Sequence, residues 1–238
     1  MERQKPHHPD PINSVSSLKR FGQYKEEGHS IVWEGQIKHD AAIRRLLGAW
    51  EKYDRVFKMP THDMDEGDVY IYPYRLACVL VEDLHPLPSH VERFSITLSS
   101  FIEMADFRLK AGMFLSALIN TGKHKVYSVR TLDYGEGISC LGMFNTKNVS
   151  IMGDVGEFAC YCMKDGKVII NGDAGGGLAD RLCGGIVVLN GNHMAGKEWY
   201  DISMEGGELH LNGDNLRLPD GLTRGKIFHK GVLVRGKP

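Results

Sequence analysis

Two hydrophobic rhythms divide this chain. In its carboxyl-terminal half, short apolar runs are closed by glycine: Lys164-Asp-Gly-Lys-Val-Ile-Ile-Asn-Gly-Asp173, Cys183-Gly-Gly-Ile-Val-Val-Leu-Asn-Gly-Asn192, Glu205-Gly-Gly-Glu-Leu-His-Leu-Asn-Gly-Asp214 and Thr223-Arg-Gly-Lys-Ile-Phe-His-Lys-Gly-Val232. Each run is a β-strand by composition and length. In the amino-terminal half the apolar residues recur at helical spacing. Ile43, Leu46, Leu47, Trp50 and Tyr53 mark one face of an amphipathic helix over His39 to Phe57, with Arg44, Arg45, Glu51 and Lys52 opposite. Ser100 to Ile119 has the same helical character, interrupted by Gly112. Val69 to Val81, broken by Pro73, and Phe94 to Ser99 read as β-rich segments, and Val126 to Thr131 as the strand that leads into the repeats.

The repeats set the architecture. Glycine pairs bracket each strand: Gly166/Gly172, Gly185/Gly191, Gly207/Gly213 and Gly225/Gly231, with Gly153 closing a fifth copy from Lys147 to Asp154. A period near 19 residues is that of a solenoid. One such strand cannot bury its apolar side alone, but stacked coils bury a continuous core. The bracketing glycines are expected at the corners, at positive φ or in close backbone contact, with Gly172 and Gly191 at positive φ. Val168, Ile169 and Ile170 are consecutive apolar residues, so both faces of the strands are expected to be partly covered. A second ladder, Met163, Leu182 and Met204, precedes the opening glycines, and Gly156, Gly175 and Gly196 follow the closing ones.

With its Gly153-Asp-Val-Gly156…Met163-Lys-Asp-Gly166 and Gly172-Asp-Ala-Gly175…Leu182-Cys-Gly-Gly185 spacing, the segment 145–235 resembles the GXGXG domain. That domain occurs in one of the subunits of formylmethanofuran dehydrogenase and at the carboxyl end of the glutamate synthase large subunit. The resemblance implies a right-handed β-helix that serves as a structural or interface element. The expected fold is therefore mainly β: a right-handed β-helix over residues 125–238, an α+β cap over 25–124, and a flexible segment over 1–24. An open solenoid end needs covering, which gives the cap its purpose, and Leu216 to Leu222 departs from the repeat as if to begin a second cap.

Composition narrows the function classes. The 238 residues carry a formal charge of −1, so no global field recruits nucleic acid. No apolar run approaches the roughly 20 residues that span a bilayer, and Met1 to Asp10 does not read as a secretory signal. Five cysteines is an odd and low number, which fits a reduced, cytoplasmic protein.

Candidate chemistry is sparse. Asp154, Asp173, Asn192 and Asp214 each follow a closing glycine, and stacking would bring them about 5 Å apart. Paired carboxylates can act on a glycosidic bond or bind a cation, but Asp and Asn also close tight turns by bonding their own backbone, and this position recurs in every coil. Cys160-Tyr-Cys162, with Cys140 and Cys183, lacks zinc-site spacing. His62-Asp-Met-Asp65-Glu-Gly-Asp68 is an acidic loop without the ligand pattern of a calcium site. Gly175-Gly-Gly177 lacks the strand–loop–helix context of a phosphate cradle, and His124, His193, His210 and His229 form no ligand or triad pattern. No catalytic residue, metal or cofactor is expected. The reading is a non-catalytic structural or protein-interaction module, with a protein partner or a homo-oligomer. The rival is a hydrolase or lyase with a carboxylate site (Asp154, Asp173, Asp214) in the groove between cap and β-helix.

Overall fold

The computed structural model describes residues 40–59, 68–194, 203–216 and 224–236. The expected flexible segment 1–24, the acidic loop from His62 to Glu66, Gly196, and the stretch 217–222 lie outside these residues. Two compact units divide the chain, Met1–Arg44 and Arg45–Pro238. Within the first, Asp40 caps a helix: its Oδ1 accepts the N–H groups of Ala42 (2.9 Å) and Ile43 (3.3 Å).

Among the described residues the helices are α1 (Ala41–Val56), α2 (Asp68–Val81), α3 (Pro88–Thr97), which runs on into a 3-10 turn at Leu98–Phe101, and α4 (Phe107–Thr121). Two of them correct the sequence reading. The segment 69–81, expected to be β-rich, is helical because Tyr74, Ala77 and Val81 lie on one buried helical face. Pro73 sits inside that helix and costs it one backbone hydrogen bond. The expected strand at Phe94 to Ser99 belongs to α3 and the turn after it. Val91, Phe94 and Leu98, fully buried at helical spacing, outweigh the local β-propensity. Among the described residues the cap is therefore helical rather than α+β.

The helical layer is organised around α4, which is buried on nearly every side. Trp50 of α1 meets Phe114 (5.5 Å), Phe101 (6.1 Å) and Phe107 (6.2 Å) ring to ring. Lys110 is buried with its charge answered: Nζ lies 2.8 Å from Asp54 Oδ1 and donates to the Ala105 carbonyl at 2.6 Å.

The strands are β1 (Val126–Arg130), β2 (Asn148–Met152), β3 (Lys167–Asn171), β4 (Ile186–Leu189), β5 (Glu208–Leu211), β6 (Lys226–His229) and β7 (Val232–Arg235), paired in that order. β1 to β6 are parallel neighbours, so the chain is a β-solenoid. Successive coils advance 22, 19, 19, 22 and 18 residues, since Val126 pairs with Asn148, Asn148 with Lys167, Lys167 with Ile186, Ile186 with Glu208 and Glu208 with Lys226. Inward positions stack into columns, Tyr127–Val149–Val168–Val187–Leu209–Ile227 and Val129–Ile151–Ile170–Leu189–Leu211, all buried. The Met163, Leu182 and Met204 ladder fills another side of the interior.

The sixth coil does not continue the stack. Lys230 (φ 49°) and Gly231 (φ 79°) form a tight reversal with two consecutive left-handed residues, and β7 returns antiparallel to β6. Gly231, expected as a coil-closing glycine, is a hairpin glycine. At the other end α3 covers β1: the Arg130 N–H donates to Ser95 Oγ (3.0 Å), and Tyr134 Oη donates to the Ser95 carbonyl. α2 joins the solenoid through ring contacts, Tyr70 against Phe158 (5.2 Å) and Tyr74 against Phe144 (5.1 Å).

The bracketing glycines work in two ways. Opening glycines Gly166, Gly185 and Gly207 have φ of 80°, 80° and 71°. The closing Gly172, Gly191 and Gly213 are not at positive φ, contrary to the expectation for Gly172 and Gly191. A Cβ on each would instead strike the backbone of the closing glycine one coil earlier. Gly112, which weakened the helix reading of α4, is there for the same reason: the Ser139 backbone lies where its Cβ would be.

Exposed Gly48 in α1 has nothing within 4 Å of a built Cβ, so Gly48→Ala is expected to stabilise by about 0.5–1 kcal/mol. Gly112→Ala and Gly172→Ala are each expected to destabilise by about 1–3 kcal/mol or more. Urea unfolding of the three variants checks the opposite signs.

Candidate functional site

The turn that closes each coil places the carboxylates of the expected ladder. Asp154 Oδ1 accepts the Asp173 N–H at 2.7 Å, Asp173 Oδ1 accepts the Asn192 N–H at 2.7 Å, and Asn192 Oδ1 accepts the Asp214 N–H at 2.9 Å. Each side chain thus fastens the next coil, and a carboxylate and a carboxamide do the same work. Asp214 ends the row; Lys230 Nζ donates to its Oδ1 at 2.7 Å, and that contact holds the Asp214 carboxyl below the usual range. Beside this row runs a second that the sequence displays but whose role it does not announce. Asn212 Nδ2 donates to Asn190 Oδ1 (2.9 Å), and Asn190 Nδ2 donates to Asn171 Oδ1 (2.7 Å). The recurring Asn-Gly-Asp/Asn triplet is the only sequence signal for it.

The cysteines are not poised as ligands. Burial pushes the Cys140 thiol up, Cys160 up to about 12 and Cys162 up to about 11, so each stays a thiol near neutrality. Cys183 is exposed, lies 3.7 Å from Glu205 Oε2, and is also raised. Among the described residues, no three His, Cys, Asp or Glu side chains form a group that could hold a metal ion. Gly175-Gly-Gly177 is a packed corner: the Gly176 carbonyl accepts the Phe158 N–H (2.9 Å), and the Phe158 ring lies where a Gly177 Cβ would be. His193 is buried at the core wall, whereas His210 stacks on Phe228 (4.5 Å, 8°) and reaches Glu208 Oε2 at 3.1 Å.

The same corner holds an unusual backbone. Cys140, Gly142 and Phe144 in one coil, Phe158, Cys160 and Cys162 in the next, and Gly177, Ala179 and Arg181 in the third all have φ between 50° and 82°. Most of these are not glycine, and left-handed backbone is costly for bulky residues. Coil-to-coil bonds hold them there, such as Cys160 N–H to Leu141 O (2.8 Å) and Cys162 N–H to Asp180 O (2.9 Å).

Beside this corner lies an open cleft of about 460 Å³. Met59, Tyr70, Ile102, Met104, Phe107, Leu109 and Phe158 form its apolar part, and Asp106, Arg108, Ser139 and Glu157 its polar part. Arg108 is paired with Glu136. Among the described residues the carboxylates that line this cleft are Asp106 and Glu157. Asp154, Asp173 and Asp214, expected to supply a groove site, do not line it.

The outer side of the sheet is a surface that the stacking does not use. Outward positions alternate with buried ones in every strand from β1 to β5. One outward column reads Ser128–Ser150–Ile169–Val188–His210–Phe228–Leu233, half-buried throughout. Ile186 and exposed Val126 and Met152 flank it. Among the described residues no helix is long and apolar enough to cross a membrane. No family model matches the chain, and no curated protein or solved structure gives a significant match.

If the Asp ladder is a fastening, Asp154→Asn is expected to leave stability within about 0.5 kcal/mol, and Asp154→Ala to cost about 0.5–1.5 kcal/mol by leaving the Asp173 N–H without its acceptor. Thermal melts of both variants check this. The lowered Asp214 carboxyl carries a sign. The stability of its ion pair is present above the ordinary carboxylate range and is lost as pH falls through the lowered folded value. Lys230→Met should therefore move the Asp214 carboxyl, followed by NMR titration, back up toward that range.

Proposed function

We propose that this chain is a non-catalytic structural or protein-interaction module that docks a protein on the outer face of its parallel sheet. One observation carries the reading. Parallel strands are ordinarily covered on both faces, and here the outward column presents Ile169, Val188, Phe228 and Leu233 half-buried, with Ile186 beside it. The polar rows that a hydrolytic reading needs are engaged in holding one coil to the next, and the buried thiols are protonated. The resemblance of the repeats to the GXGXG domain agrees, since there too the β-helix serves as structure or interface.

A second reading has its own observation. Asp106 and Glu157 both line the cleft at the join of helices and solenoid, where a hydrolase or lyase would hold its carboxylates.

Partner capture from a native extract, quantified by mass spectrometry, separates the two readings. Val188→Asp puts a charge in the middle of the sheet face without touching the core, and it should lower capture at least about tenfold at unchanged helix and strand content. Asp106→Asn with Glu157→Gln should leave capture as it is. Equal capture by the wild-type and Val188→Asp chains, or a turnover found by substrate screening that the cleft variant abolishes, would reverse the preference.

A further inference from the structure

If the sheet face is a docking surface, its chemistry also names the occupant. We propose that the occupant is a second copy of this chain, packed sheet to sheet about a two-fold axis that runs along β4. The strand register supplies the argument. Lys167 on β3, Ile186 on β4 and Glu208 on β5 sit side by side at one height on the outer face, and Ile169, Val188 and His210 at the next. A two-fold along β4 lays the β3 of each copy over the β5 of the other. Lys167 then meets Glu208 of the other copy, and because the operation is two-fold the ion pair forms twice. Ile186 and Val188 meet their own counterparts on the axis, and Ile169 meets the His210 ring.

The other two-fold axis in the plane of the face, across the strands, lacks this match. It leaves each strand over its own counterpart with the residue order reversed, so Lys167 opposes Asn171 and Glu208 opposes Asn212. The first arrangement pairs unlike charges around an apolar centre, and the second leaves Lys167 and Glu208 without a charge partner.

The face is small. Six strands at about 4.8 Å spacing, each showing about four residues at about 3.3 Å, cover roughly 300–400 Å². A standard interface takes about 800 Å² from each partner, so this pairing is weak and is sought at high concentration.

Sedimentation of the full chain from roughly 10 to 500 µM is the test, since a face of this size suits a micromolar or weaker constant. The expected result is a reversible dimer. Val188→Asp should weaken it at least about tenfold, and Lys167→Glu or Glu208→Lys about three- to tenfold each. The double reversal Lys167→Glu with Glu208→Lys should restore wild-type association, since it exchanges the two charges. Circular dichroism of each variant confirms that the fold is kept. A monomer at every concentration, a dimer indifferent to Val188→Asp, or a double reversal no better than the single ones overturns the proposal. A failed dimer leaves the docking reading standing as long as extract capture still falls with Val188→Asp, so the two failures are told apart.

Discussion

Every coil of this protein must lie within hydrogen-bond reach of the coil before it, and that close approach governs the rest. At the strands the requirement is met by parallel pairing over β1 to β6. At the corners it is harder, because the chain turns while its neighbour turns beneath it. Gly172, Gly191 and Gly213 answer it by having no side chain at the point where the preceding coil passes. Asp154, Asp173 and Asn192 answer it by turning a side-chain oxygen on the next backbone N–H. The left-handed residues from Cys140 to Arg181 belong to the same constraint, since their strained backbone is held by bonds to the coils on either side.

A stack of coils has two ends, and the protein closes them by different means. Helix α3 lies against β1 and supplies Ser95 as an acceptor for the Arg130 N–H. The far end folds back on itself as the β6–β7 hairpin, replacing the next parallel strand with an antiparallel one. The first device depends on a separate helical layer with its own core of Trp50, Phe107 and Phe114. That layer is keyed to the solenoid by the ring pairs of Tyr70 and Tyr74 and by Ser116, whose Oγ accepts the Gly142 N–H at 2.9 Å.

Function follows from what this architecture uses and what it leaves over. The interior columns, the Asp/Asn row and the Asn row are consumed by stacking. Among the described residues it leaves over the outer sheet face, apolar near its centre, and the cleft at the helical join with Asp106 and Glu157. A face suits a protein partner, and a cleft suits a small molecule, which is why the two functional readings stand on different parts of the molecule.

The sequence by itself determined the solenoid. A strand closed by glycine every 19 residues or so can bury its apolar side in one way, by stacking, and the period is visible in the residues alone. It also showed the helix at 41–56, because a long amphipathic pattern is a local property. Tertiary structure decided the remainder, for the reason that each case turned on a neighbour distant in the chain. The segments 69–81 and 94–99 carry β-forming residues yet are helical, since the buried face of each has helical spacing. Whether a glycine serves for its φ or for its missing side chain depended on the coil passing beneath it, as Gly166 and Gly172 show only six residues apart. The carboxylates of the groove, Asp106 and Glu157, come from a helix start and a coil corner with no shared motif, and only the packing of one on the other brought them to the same cleft.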